Sequence, residues 1–397
     1  MSNPNIQPIT TADALVPLLR SIESTSEICI DTEADSLHHY FEKICLLQFT
    51  VTDGHSLNGS SFLVDPLAKF DLKPLFDGLR NKSLILHGAD YDLRMLRADF
   101  KFIPALIFDT MLAARLAGHT TLGLDALVLR YTGKILDHGA QKADWSQRPL
   151  PPRLLNYAVE DTYHLPLLTQ KLREELVALG RTEWHAQQCA QLIEASASTR
   201  EKNANEVWRI KGSFDLDAQS LAILRELWKW RDEEARNWDR PPFMVLNNAK
   251  LLELTAWARS HPHGDLPLGP SLPKRWRPRR LQALIAALKQ AWGMSETDWP
   301  LPAQHGKRPP YDPRFASRLS RLRSVRDSIA KEMKLDPSIL APQWMLEAIA
   351  GYNPQRMEDF KNIEKWLPWQ TELLGRPFLD ALTDFSEDNP PARPQTF

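Results

Sequence analysis

Residues 27–33 read EICIDTE, and the organisation of the chain follows from how that stretch is read. Ile28, Cys29 and Ile30 form an apolar run of strand type that ends on Asp31-Thr32-Glu33. In a strand, residues i and i+2 share a face, so the two carboxylates stand side by side. Like charges so placed repel unless something cationic lies between them. A hard divalent cation with oxygen ligands answers that need. The plainer reading is an exposed strand end with two solvated acids.

Working outward, residues 11–24 open on a Thr cap and carry a helical apolar period. Strand-like runs follow at 44–51 and 61–65, separated by GHSLNGS, a loop by composition. LKPLFDGLR (72–80) is helix-like, LILHG (84–88) is a buried strand by its continuity, and YDLRMLRADF (91–100) is helical. FDTMLAARLAG and GLDALVLRYTG each end on a Gly in the manner of a helix C-cap. Residues 150–180 form a long helical region that Pro166 should kink or split. Early strands followed by many helices give an α/β domain of about 200 residues. From Glu206 on nothing reads as a strand, and the text is helical and Trp-rich.

At 397 residues, two to four domains are expected, and 43% hydrophobic with 25% charged residues is ordinary for a globular chain. No apolar run approaches the ~20 residues of a membrane span, and the first residues lack the pattern of a secretory signal. Three cysteines (Cys29, Cys45, Cys189) without a CxxC pair suit neither a disulfide framework nor a thiolate zinc site. A reducing, cytoplasmic setting is the expectation. The net charge of −1 hides an asymmetry. The first 200 residues lean acidic, whereas residues 271–331 hold 14 Lys and Arg against 4 Asp and Glu. That stretch contains PKRWRPRR (273–280), where Lys274, Arg275 and Arg277 flank Trp276. Cations around an aromatic ring suit a phosphate backbone and a stacked base; a solvated helix face is the competing reading.

The helical part repeats weakly. WRDEEARNWDRPPFMVLNNAKLLELTA (from Trp230) and VRDSIAKEMKLDPSILAPQWMLEAIA (from Val325) share Arg-Asp, a Pro turn and later Leu and Glu positions. The offset is 95 at Ala235/Ala330 and 94 at Leu246/Leu340, which requires one deletion. Two copies of an ~80-residue helical module are expected.

Two more acidic segments accompany the first. Asp92 follows the buried strand LILHG and opens a helix, where helix capping competes as a role. Tyr157 and Asp161, in LLNYAVEDTYHL, lie four apart and so share a helix face. The order DxE, D, YxxxD resembles the DEDD exonuclease superfamily in its Tyr-containing form. DTEADSLHHYFEKICLLQF, LILHGADYDLRML, LDHGAQKADWSQRPL and LLNYAVEDTYHL look like the ribonuclease D family. The helical repeats look like its two HRDC (helicase and RNase D C-terminal) domains, and the resemblance spans roughly residues 10–385.

The resemblance implies a ribonuclease-H-like α/β 3′→5′ exonuclease domain, a mixed sheet flanked by helices, followed by two all-α HRDC-like domains. The expected division is 1–205 exonuclease, 206–295 first HRDC-like domain, 296–310 Pro-rich linker, 311–385 second HRDC-like domain and 386–397 disordered tail. It implies metal-dependent hydrolysis from RNA 3′ ends, with two divalent cations held by Asp31, Glu33, Asp92 and Asp161. Mg²⁺ is the expected ion and Mn²⁺ a substitute, since the ligands are all oxygen. Tyr157 matches the residue that orients the attacking water. The implied partner is RNA with a single-stranded 3′ end, precursors of tRNA above all, with no membrane and no obligate protein partner. Substrate contacts are expected from His39, Tyr40, Gln48, Arg148, Lys274, Arg275, Trp276 and Arg277. For Arg148 a structural pairing with Asp144 is the favoured alternative, and His87 reads as a packed structural residue. His138 stands where many relatives have Lys, which would make a contact there pH-dependent. A DNA-directed exonuclease and an RNA-binding scaffold without turnover are the alternatives; a carboxylate–metal hydrolase of another fold would not account for the basic helical repeats.

Overall fold

The computed structural model describes residues 6–52, 59–137, 139–197, 206–263, 269–273, 276–302 and 312–383. His138, Lys274, Arg275, the end of the Pro-rich linker, most of the loop read at 54–60 and the tail expected to be disordered lie outside the described residues.

Among the described residues, five strands form one mixed sheet in the order β3-β2-β1-β4-β5. They are β1 (Glu27–Ala34), β2 (Ile44–Val51), β3 (Ser60–Val64), β4 (Ser83–Leu86) and β5 (Leu106–Asp109). β1, β2 and β3 pair antiparallel, while β1–β4 and β4–β5 are parallel. Every residue of β2 is buried, because helices cover both faces of the sheet. On one face α1 (Ala12–Glu23), α2 (Lys73–Leu79) and α3 (Asp90–Phe100) bury Leu18, Ile22, Leu75 and Leu96 against Ile28, Ile30, Phe49 and Leu84. The other face carries α4 (Thr110–Ala117), α5 (Leu124–Thr132), α6 (Pro152–Tyr163) and α7 (Leu165–Ala178), and α8 (Thr182–Ala197) packs at the β5 side. Pro166 sits in the first turn of α7, and the long helical region divides at His164 as the proline requires.

Two elements depart from the sequence reading. FDTM starts in β5 and not in a helix: Asp109 ends the strand, and its side chain caps α4 by accepting from the Met111 and Leu112 amides at 2.8 and 3.2 Å. α8 is a sixteen-residue helix where the reading has no element.

The remaining helices are α9 (Ala218–Trp238), α10 (Pro242–Val245), α11 (Asn248–Ser260), α12 (Pro278–Trp292), α13 (Phe315–Glu332), α14 (Pro337–Leu340), α15 (Gln343–Tyr352), α16 (Pro368–Gln370) and α17 (Arg376–Thr383). α9-α10-α11 and α13-α14-α15 repeat one motif: a long helix, a single turn after Pro, then a helix. The spacing is 95 for the starts of α10 and α14 and for those of α11 and α15, so the deletion inferred at Leu340 is not present. Arg231 and Arg326, also 95 apart and both buried, play the same part. Each donates from Nη1 to the carbonyl that closes the short helix, Leu246 at 3.1 Å and Ala341 at 2.9 Å. The first copy and α12 enclose a core of their own around Leu221, Leu227, Leu254 and Leu288. The second copy does not stand apart: Leu322, Leu346, Ile349, Phe360, Trp369 and Phe378 share one core with Leu116, Leu127, Leu168 and Leu172.

Candidate active site

β1 ends beside α6, and this meeting assembles the acids. Asp31 and Glu33 project from one face of β1 toward Asp161 on α6, and one carboxylate oxygen of each lies within 4.8 Å of the others. Asp92 arrives from the first turn of α3, which leaves the sheet directly after β4, the parallel neighbour of β1. Its carboxylate accepts a hydrogen bond from Thr32 Oγ1 at 2.6 Å, so the middle residue of the Asp-Thr-Glu triplet ties the second acidic segment to the first. Tyr157, one turn before Asp161 on α6, hydrogen-bonds the Asp161 carboxylate. The five residues line one cleft of about 380 Å³, whose wall also includes His87, Tyr91, Asp125, Asp137 and Gln141.

The electrostatics are those of a site built around missing positive charge. Burial, reinforced by the neighbouring carboxylates, pushes Glu33 up to about 9 and holds Asp31 well above the usual carboxylate range. Asp161 rises to about 7 and Asp92 to about 6, again through burial first. Burial and the Asp161 charge raise the Tyr157 phenol, which keeps it a hydroxyl and a hydrogen-bond donor. No Lys or Arg lines the cleft among the described residues. Gln48 stands opposite Asp31 in the β1–β2 register, is fully buried, and has no hydrogen-bond partner for either amide atom among the described residues. Clustered carboxylates without a counter-charge, next to an orphaned buried amide, fit a divalent cation with its water.

The other expected contacts are placed differently. His39 and Tyr40 do not point into the cleft; they reach the first helical module, through Asp239 and Asp232. Arg148 takes neither role foreseen for it. It binds Asp65 with Nε and Nη2 at 2.6 and 2.7 Å and donates to the carbonyls of Cys45 and Trp145, while Asp144 instead caps Ser146. Trp276 is half-buried and packs on Trp230 with ring centroids 5.5 Å apart, against the core of the first module. Arg277 is exposed at the start of α12. His87 lines the cleft wall with Nδ1 2.9 Å from Thr110 Oγ1, and burial keeps its imidazole neutral. Thr32 and Gln141 are site residues the sequence reading passed over. Thr32 was legible in principle, since β1 turns it to the α3 side; Gln141 had no signal, because it comes from an irregular segment. Gln141 lines the cleft together with Tyr157.

Comparison with known proteins agrees with this architecture. A 3′-5′ exonuclease family model matches residues 6–177, and an HRDC domain model matches 220–258 and 315–382. The chain is 28% identical to the ribonuclease D of Bartonella henselae over 93% of its own length and 88% of the relative's. It is 28% identical to that of Pseudomonas paraeruginosa over 96% and 98%. Among solved structures, a protein from Bifidobacterium adolescentis superposes with a TM-score of 0.77 at 23% identity, covering 96% of this chain and 99% of that one. Escherichia coli RNase D, described as an exoribonuclease involved in structured RNA processing, gives 0.69 at 24% over the same shares and has the same fold. A 3′-5′ exonuclease fold followed by HRDC repeats, in a chain that aligns with ribonuclease D over 96% of its length, identifies this protein as a ribonuclease D-like 3′→5′ exoribonuclease.

Proposed function

We propose that the cleft hydrolyses the terminal phosphodiester of an RNA 3′ end with two divalent cations and releases nucleoside 5′-monophosphates one at a time. The observation that carries this reading is the convergence of four carboxylates and a tyrosine, from three chain segments, in one cleft that no Lys or Arg lines among the described residues. Asp31, Glu33, Asp92 and Asp161 would hold the cations, Mg²⁺ natively and Mn²⁺ as a substitute. When bound, the pair supplies charge neutralisation at the phosphate and an acidified water. The Tyr157 hydroxyl, kept protonated, holds that water in line with the phosphorus, and Asp161 fixes the hydroxyl in turn. Gln48 offers a buried amide to the loaded site.

The substrates we infer are precursors of tRNA and other small stable RNAs, presented through a single-stranded 3′ end in the cytoplasm. The division of labour would follow the domains: catalysis in 1–205, RNA retention by the HRDC-like modules in 206–295 and 311–385, with the basic stretch 271–331 raising the local concentration of RNA. The test is a 5′-labelled RNA with an unpaired 3′ tail, incubated with Mg²⁺, with EDTA, and with the Asp161→Asn protein. A ladder shortening from the 3′ end in the Mg²⁺ tube alone supports the reading. An RNA gel shift without shortening in Mg²⁺ or Mn²⁺ overturns it in favour of a scaffold, and equal trimming of a DNA tail removes the preference for RNA.

A further inference from the structure

Residues 35–43 leave the active-site strand directly after Glu33 and Ala34. The segment is stiff at its base. Asp35 is fully buried, accepts from the Lys43 amide at 2.9 Å and from Lys43 Nζ, and its carbonyl accepts from the amides of His38 and His39 at 2.8 and 3.0 Å. The tip of the segment is gripped by the first helical module from four directions. Asp239, the C-cap of α9, accepts from the Tyr40 amide at 3.1 Å and lies 2.6 Å from His39 Nδ1. Asp232 accepts from the Tyr40 hydroxyl at 2.9 Å, and Arg240 Nη1 donates to the His38 carbonyl at 2.6 Å. The fourth grip is Arg236, whose guanidinium lies over the Tyr40 ring, 5.5 Å from its centroid.

The same segment holds a third element. His39 Nε2 lies 2.9 Å from Ser146 Oγ, and His38 Nε2 lies 3.0 Å from the Lys142 carbonyl. Ser146 Oγ is in turn 2.5 Å from Asp144 Oδ1. Asp144 and Asp239 can only accept, so Ser146 donates to Asp144 and His39 Nδ1 donates to Asp239, while His39 Nε2 faces the Ser146 hydroxyl. The imidazole is then one continuous bridge between a carboxylate on the helical module and the strap of residues 139–149. That strap builds the wall behind Tyr157: Trp145 is fully buried with its ring 6.1 Å from that of Tyr157, and Gln141 lines the cleft together with Tyr157.

We infer that His39 is a positioning residue through which docking of the first HRDC-like module sets the packing of the 139–149 strap against Tyr157 in the active site. The inference rests on the reading that Tyr157 serves the hydrolytic step. The module would then do more than retain RNA: it completes the catalytic domain from a distance, with none of its described residues lining the cleft. An isolated exposed His–Asp pair contributes little. This one is embedded among parallel ties to a loop anchored on β1, so its loss is felt as misplacement of the strap.

The test uses the full chain and a short RNA of three to five nucleotides, which keeps contacts beyond the cleft to a minimum. His39→Ala and Asp239→Ala should each lower kcat about tenfold with KM little changed, as expected for misplacing a catalytic hydroxyl. The double variant should be no worse than either single one, and Ser146→Thr, which keeps the hydroxyl, should retain the rate that Ser146→Ala loses. Amide hydrogen exchange of the Asp239→Ala protein should rise in peptides covering 139–149, far in sequence from the substitution. If exchange rises only in the module and in 35–43, or if the loss appears in KM with kcat intact, the bridge is structural and the inference is overturned. Tyr157→Phe separates the two readings. An unchanged rate there defeats the functional role of Tyr157 itself, whereas a crippled Tyr157→Phe beside wild-type rates for His39→Ala and Asp239→Ala defeats only the latch.

Discussion

Four carboxyl groups gathered in one cleft, Asp92 buried and Asp31, Glu33 and Asp161 half-buried, oppose folding whenever no cation is bound. Their pKa values lie above the ordinary carboxyl range, at about 6 for Asp92, 7 for Asp161 and 9 for Glu33. The folded protein thus holds protons that the unfolded chain has released, so stability falls as pH rises from the ordinary carboxyl range through these values. Thermal unfolding in EDTA should show a melting temperature that declines between about pH 5 and pH 9. Saturating Mg²⁺ or Mn²⁺ should flatten the decline, and a decline of equal slope with and without the ions would show that these groups do not bind them. Asp161→Asn should raise the melting temperature of the metal-free protein at pH 8, worth about 2 kcal/mol, while abolishing turnover. Thr32 makes a separate prediction. Its 2.6 Å bond to Asp92 is buried, and a hydrogen bond to a charged acceptor is worth about 1.5–3 kcal/mol. Thr32→Val should weaken activation by Mg²⁺ about tenfold or more, a loss that Thr32→Ser restores; a Thr32→Val enzyme with an unshifted Mg²⁺ titration would exclude the role. At this scale the acids were readable because strand and helix periodicities bring Asp31 to Glu33 and Tyr157 to Asp161. Gln141, His39 and Arg148 were not, since their partners lie in segments 83 to 200 residues distant, or in irregular chain where no period applies.

The elements show which physical signals carry. β1, β2 and β4 are apolar and buried, and their sequences announce them; β5 has only four residues, with Leu106 63% exposed, and its Asp109 serves both the strand end and the cap of α4. Its identity is imposed by pairing with β4, which a local pattern does not contain. Gly118 illustrates the same point at a helix end. A C-cap glycine was foreseen there, and the residue has φ +91, but its neighbour was not: a Cβ would stand 2.9 Å from the carbonyl of Lys334, in the turn after α13. Arg181 donates to the carbonyls of Leu116 and Met333 at 2.6 and 2.9 Å and closes the same junction. Gly118→Ala should therefore cost about 2–3 kcal/mol, more than left-handed strain alone, because the backbone of the second module must move. Gly133 has φ +74 with open space around it, so Gly133→Ala should cost only the strain, about 1 kcal/mol. Equal losses in chemical denaturation would mean that the Lys334 contact does not matter.

Across the molecule, two copies of one helical motif have come to opposite relationships with the catalytic domain. The sequence repeat was visible because each copy keeps a buried Arg, a Pro-started turn and an apolar helix face at a constant spacing. What each copy packs against was invisible, since the difference lies in surface residues that become core only through tertiary contact. The first copy closes around Leu221, Leu254 and Leu288, and meets the catalytic domain through the polar ties of residues 38–40. The second shares a core with α4, α5 and α7, cemented by Trp184 stacked on Trp369 with centroids 4.4 Å apart. Calorimetry should accordingly resolve two units. Arg231→Met and Arg326→Met delete the same bond in each copy and leave a buried carbonyl unpaired, a loss of about 1–3 kcal/mol. Arg231→Met should lower one transition and leave the other in place. Arg326→Met should lower the transition of the catalytic domain, in step with loss of its near-ultraviolet circular dichroism, although residue 326 lies outside that domain in sequence. If Arg326→Met instead melts a separate third unit while the catalytic domain holds its temperature, the shared core is not cooperative, and the second copy is an appendage in the same sense as the first.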